Sequence, residues 1–199
     1  MQVNKRKTVF ISGSAYEYGK FGDDGKTFIR ELSKSLLKNG FQIISGFGAG
    51  VGNYVVEGAL SEIYLNGKQT DGQPKMTDQL RVFPFPVRTE MLETIQSSYR
   101  NDIISRAGTA IFLFGNKLED ICIREADGMR KEFEIARAHK ALLIPVGASG
   151  YISEQLWKDM VNQYEDYFET REKFPLYEQL GDPAANPDQL IDAILQIAQ

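Results

Sequence analysis

Residues 99–138 read YRNDIISRAGTAIFLFGNKLEDICIREADGMRKEFEIARA, and TAIFLF at 109–114 decides the fold. A short run of apolar and β-branched residues without alternation suits a strand covered on both faces, the condition of a central strand in a parallel sheet. The pattern before it is helical and carries Arg100. After it come a glycine turn, Gly115-Asn116-Lys117, an acidic connector over 118–127, and a second helix that opens at Gly128 and includes Met129 and Glu132. In open α/β sheets ligands bind beyond the carboxyl ends of the strands. These residues are therefore predicted to face one crevice. A cation, a glycine turn, a helix N-terminus and a carboxylate suit a ligand that carries phosphates and ribose hydroxyls.

Outward from this stretch the same alternation continues. A first strand over 7–12 runs into GSAYEYGKFG, where Gly13, Ser14 and Ala15 form either an ordinary strand-to-helix turn or an anion-binding one. An amphipathic helix over 24–39 stops at Gly40, and a second strand covers 41–45. GFGAGVG follows, with Gly46, Phe47 and Gly48 at its start and a helix predicted over 53–65. The glycines free the backbone to fold tightly and present amides, although the spacing is not that of a dinucleotide fingerprint. Residues 66–77 are a polar loop, and a strand over 80–83 leads into PFPVRTEM. Phe85, between two prolines, either stacks on a base in the crevice or belongs to the core. A further strand is predicted over 141–146, an aromatic-rich helix over 152–168, a proline-punctuated tail, and a last amphipathic helix over 187–198. The expected fold is one α/β domain over 1–199, a Rossmann-like doubly wound, mainly parallel sheet with helices on both faces.

Composition narrows the function. The net charge is −4 across 199 residues, with no Lys/Arg run, which argues against nucleic-acid binding. One cysteine, Cys122, and one histidine, His139, exclude an internal disulfide and leave too few ligands for a Cys/His metal site, so no metal is expected. Without a signal-peptide core or a membrane-length apolar run, a cytoplasmic location away from membranes is the expectation.

Taken together, SGSAYEYG, SGFGAGVGN, SYRND, FGNK and GMRKEFEIA resemble the SLOG superfamily, which includes cytokinin-activating nucleotide hydrolases and nucleotide-sensing domains of bacterial defence proteins. In the hydrolases an arginine-bearing helix is followed by a strand ending in Pro-Gly-Gly and then Gly-Thr-x-x-Glu at a helix start. Here the arginine falls on Arg100 and the last motif on Gly128-Met129-Arg130-Lys131-Glu132, while the proline and paired glycines are missing and threonine has become Met129. The resemblance is greatest to the C-terminal sensor domain of the sirtuin-like NAD-cleaving effectors of the Thoeris antiphage system.

That resemblance implies a regulatory domain without catalytic residues or a cofactor. Its ligand would be a cyclic ADP-ribose isomer made by a TIR-domain protein, and binding would activate an attached NAD-cleaving domain. The alternative is a nucleoside 5′-monophosphate phosphoribohydrolase. Arg100 and Glu132 would hold phosphate and ribose in the first case, or form only a salt bridge between helices. The chain is expected to be an excised sensor domain. A homodimer is also expected, and a tetramer in the full-length effector, through surplus apolar side chains on the helices over 152–168 and 187–198.

Overall fold

β4 (Thr109–Phe114) is the strand expected from the sequence, and its whole length is buried. The computed structural model describes residues 5–66, 79–84 and 92–199. It sets β4 beside β1 (Thr8–Ser14), with β7 (Leu142–Pro145) at its other edge. β2 (Gln42–Ser45) and β3 (Leu80–Val82) extend the sheet beyond β1, so the order is β3-β2-β1-β4-β7 and every pairing is parallel. This is the Rossmann-like α/β arrangement.

The chain leaves β1 towards β2 and leaves β4 towards β7, in opposite directions across the sheet. Right-handed crossovers therefore put the helix after β1 and the helix after β4 on opposite faces. On the first face α1 (Asp24–Lys38) packs against α2 (Gly52–Ser61) and α7 (Pro187–Ala198). On the second, α3 (Leu92–Ile104) packs against α4 (Gly128–Ala138). α1 forms because Phe28, Ile29, Leu32, Leu36 and Leu37 recur on one side and are all buried. It ends where Gly40, at φ +76°, lets the Gly40 and Phe41 amides donate back to Leu37 and Leu36. α7 opens with a capping box between Asn186 and Gln189, and Pro187 occupies its first turn.

Three elements differ from the sequence expectation. The connector over 118–127 is largely an antiparallel hairpin, β5 (Asn116–Glu119) with β6 (Cys122–Glu125), turning through Asp120 and Ile121 at positive φ. No Asn-Gly or Asp-Gly marks that turn, so the usual hairpin signal is absent. The tail contains another helix, α6 (Phe174–Leu180), which carries Pro175 in its first turn, where proline is tolerated. The predicted helix over 152–168 is α5 (Tyr151–Asn162) followed by a 3-10 turn, Tyr164–Asp166.

Most apolar residues of these last elements pack inside the fold, while Trp157, Tyr167, Phe168 and Leu195 stay partly exposed. Leu190, Ile191, Ile194 and Ile197 are buried. Tyr164 packs edge-on against Phe174 and Tyr177, with Phe168 4.6 Å away between ring centres. The exposed large apolar side chains lie elsewhere, notably Tyr16, Phe47 and, on the hairpin, Leu118, Ile121 and Ile123. Among the described residues no helix is long and apolar enough to cross a membrane. Phe85 and most of the polar loop fall outside the described residues.

Candidate functional site

The sheet's switch point lies between β1 and β4, whose last residues, Ser14 and Phe114, are directly paired. The two chains diverge there to opposite faces, which leaves a crevice at the carboxyl edge. Gly13, Ser14 and Ala15 end β1 and begin the loop after it. Gly46, Phe47 and Gly48 follow β2, and Gly115 follows β4.

The first two loops interlock. The Ala15 amide donates to Ala49 (2.8 Å), and the Tyr18 hydroxyl donates to the Gly50 carbonyl (2.8 Å). A Cβ on Gly48 would lie 1.9 Å from the Gly13 carbonyl oxygen, and one on Gly50 1.8 Å from that of Ala15. Only glycine permits this approach, so the glycine pattern after β2 is explained by loop against loop before any ligand is considered.

Glu132 projects from α4 into the floor of this region and is buried. Its Oε2 accepts a hydrogen bond from Ser12 Oγ at 2.6 Å, and its Oε1 lies 3.4 Å from Arg100 Nε on α3. The guanidinium passes close over the start of α4, where a Cβ on Gly128 would stand 3.0 Å from Arg100 Nη2. Burial pushes the Glu132 carboxyl above the usual carboxylate range; the Ser12 hydroxyl and the Arg100 charge pull in the other direction. Ser14 Oγ, at the end of β1, is buried and has no hydrogen-bond partner among the described residues. A buried hydroxyl left without a partner costs free energy unless another molecule satisfies it.

The remaining expected site residues fall into different places. Asn116 is fully buried and its amide is engaged by the loop after β1. Oδ1 accepts from the Tyr16 and Glu17 amides (2.9 and 3.1 Å), and Nδ2 donates to the Glu17 carbonyl (2.9 Å). It shapes one lip of the crevice. Met129 is buried beneath Gly115, its Sδ 3.0 Å from where a Gly115 Cβ would sit. Lys117 lies on β5, its ammonium 3.1 Å from Glu119 and half exposed. Phe85 lies outside the described residues.

Several contributors escaped the sequence reading. Ser12 is one, although a serine inside an apolar strand is itself a signal, since a buried hydroxyl needs a partner. Ser149 accepts the Phe114 amide (2.8 Å) and donates to Val146 (2.6 Å), tying β4's end to the loop after β7. Tyr151 donates to Glu17 across the same edge, and burial with that bond pushes its phenol up to about 12. No sequence spacing announces either contact. Among the described residues no group of histidine, cysteine and carboxylate side chains could hold a metal ion.

The chain is similar to known proteins along its whole length. A family profile described as Sir2- and TIR-associating SLOG matches residues 1–199. The chain is 41% identical over 202 residues to an NAD(+) hydrolase ThsA of Cytobacillus dafuensis, covering 96% of this chain and 39% of that protein. It is 38% identical over 199 residues to the ThsA of Bacillus cereus strain MSX-D12, covering 98% and 40%. With the ThsA of Acinetobacter baumannii the identity is 35%, covering 97% and 42%. The chain thus spans about two-fifths of the length of these curated relatives. With the profile matched along its whole length on an α/β sheet of Rossmann type, the chain belongs to the Sir2- and TIR-associating SLOG family.

Proposed function

We propose that this chain is a ligand-sensing domain that binds a cyclic ADP-ribose isomer at the switch-point crevice and does not consume it. The signal would come from a TIR-domain protein, and occupancy would activate an attached sirtuin-like NAD-cleaving domain in Thoeris-type antiphage defence, in the cytoplasm. The observation that carries this reading is the buried Ser12–Glu132–Arg100 network beside the Ser14 hydroxyl, which has no partner among the described residues. Arg100 offers a planar fork for phosphate, Glu132 an acceptor for ribose hydroxyls or an adenine amine, and Ser14 a hydroxyl able to donate and accept. The relation to proteins named NAD(+) hydrolase, each more than twice the length of this chain, supports a regulatory role for this part. The domain would act as a homo-oligomer, with the exposed apolar hairpin near the crevice offering a contact surface.

Calorimetric titration with ADP-ribose, its cyclic isomers, NAD and AMP tests the reading. Saturable binding of a cyclic isomer, with the ligand recovered intact by chromatography, is the expected result.

The burial of Glu132 favours a second reading, hydrolysis of a nucleoside 5′-monophosphate. Burial raises the proton affinity of Glu132, the property required of a general acid. Release of adenine from AMP at enzymatic turnover, abolished by Glu132→Ala, would establish that activity.

A further inference from the structure

Three aromatic residues at or beyond strand ends on the carboxyl edge have left-handed backbones: Phe47 (φ 56°), Phe114 (φ 59°) and Tyr151 (φ 56°). A bulky residue rarely adopts that conformation, which is strained and persists where the surroundings impose it. Two of the three are explained by their partners. Phe114 is buried, with Tyr18 and Phe21 edge-on at 5.4 and 5.9 Å, and Tyr151 is bonded to Glu17. Phe47 has no such explanation. Its side chain is 41% exposed, and among the described residues it has no aromatic or cationic partner.

The surroundings hold Phe47 in this conformation. Its amide donates to Ser45 Oγ at 3.1 Å, which fixes the turn as the chain leaves β2. α2 begins with a bare residue beneath it: a Cβ on Gly52 would lie 2.5 Å from Phe47 Cα and 3.0 Å from its ring Cδ2. The next residue, Gly48, is pressed against the Gly13 carbonyl at the end of β1, so Phe47 is anchored beside the switch point. Displaying a ring in water in a strained conformation gains nothing for the fold. It gains affinity if a flat ligand group covers the ring.

We propose that Phe47 is the base-stacking platform of the crevice, taking the face of the adenine while Arg100, Glu132 and Ser14 take the phosphate and ribose end. This rests on the reading of the crevice as a nucleotide site and adds the residue that recognises the base. Stacking depends on a π face and tolerates any planar base, so Phe47 sets affinity for base-containing ligands in general.

The test compares wild type with Phe47→Tyr, Phe47→Leu and Phe47→Asn, each titrated with ADP-ribose, with a cyclic isomer and with ribose 5-phosphate, which lacks the base. Phe47→Leu and Phe47→Asn are expected to bind the adenine-containing ligands about 5- to 100-fold more weakly, with ribose 5-phosphate unchanged. Phe47→Tyr keeps the ring and should stay within about twofold of wild type. Asparagine tolerates the left-handed backbone better, so Phe47→Asn should lose affinity without losing melting temperature. Wild-type affinity in Phe47→Leu, or a parallel loss for ribose 5-phosphate, overturns the stacking role and leaves the crevice reading standing. Failure of the wild-type chain to bind any of the three overturns both.

Discussion

Ser12 on β1 and Glu132 on α4, 120 positions apart in the chain, are joined by a buried 2.6 Å hydrogen bond on the side of the carboxylate away from Arg100. Both carboxylate oxygens are thereby occupied, one by a neutral donor and one by a cation. The bond links the central strand to the helix that begins at the crevice, so the position of the carboxylate is set by the sheet itself.

Ser12→Ala removes that donor and leaves Oε2 buried without it. Losing a charge-assisted partner in this way costs about 1–3 kcal/mol, which in a chain of this size lowers the melting temperature by about 2–4 °C for each kcal/mol. Differential scanning calorimetry measures it. A variant with wild-type stability would show that water or Arg100 replaces the hydroxyl at no cost.

The direction of the Glu132 shift fixes a pH dependence. Because burial raises its folded-state pKa above the unfolded value, the folded protein binds the proton more tightly, and stability contributed by this group falls as pH rises between the two values. Glu132→Gln does not titrate there. Its stability relative to wild type should therefore improve as pH rises from about 4.5, the ordinary range of a glutamate, towards the raised value, with a slope of at most about 1.4 kcal/mol per pH unit. Melting curves of both proteins from acid to neutral pH test the sign. A difference that moves in wild type's favour as pH rises would mean that Arg100 outweighs burial.

Arg100 and Lys117, both expected from sequence to touch the ligand, should separate on mutation. Arg100 lies against a buried carboxylate with its side chain only 13% exposed, whereas Lys117 is 43% exposed and already paired with Glu119. Arg100→Ala should weaken binding of a cyclic ADP-ribose isomer at least tenfold, since a charge-assisted contact contributes about 1.5–3 kcal/mol. Lys117→Ala should change it by less than about threefold, the range of an exposed ion pair. Titration calorimetry reads both. Unchanged binding in Arg100→Ala, with a lowered melting temperature, would make the arginine purely structural.

What could be read from the sequence follows from local chemistry. TAIFLF announced a buried parallel strand, and the apolar spacing of α1 and α7 announced their helices because the pattern lies within each segment. The hairpin over residues 116–125 was hidden because its turn residues, Asp120 and Ile121, reach positive φ without the glycine that usually marks such a turn. At the site, Arg100 and Glu132 stood out by their places in SYRND before the buried strand and in GMRKE at the start of the helix after it. The loop glycines have a packing role that the sequence hid, since Gly48 and Gly50 are required by a backbone approach that only the folded chain displays. Asn116 was noticed for its position in a turn, but its three bonds reach 99 and 100 residues away, beyond any local pattern.

Those bonds give Asn116 a testable positioning role. Oδ1 collects the Tyr16 and Glu17 amides and Nδ2 holds the Glu17 carbonyl, so one buried side chain supplies the turn that a backbone ladder would otherwise have to close. Asn116→Ala strips these partners from two amides and a carbonyl near the crevice. Each can turn to water only if the loop after β1 opens. The expected result is faster amide hydrogen exchange at Tyr16 and Glu17, reflecting local opening, while the amides of β4 keep their protection. Ligand affinity should fall through the loop itself, because a loop that must be reordered on binding adds its ordering cost to every association. Asn116→Asp separates the two contributions: it retains the acceptor for both amides but loses the donor to Glu17, so its exchange should lie between alanine and wild type. If instead Asn116→Ala exchanges like wild type throughout and still loses affinity, the asparagine contacts the ligand directly and its loop bonds are incidental.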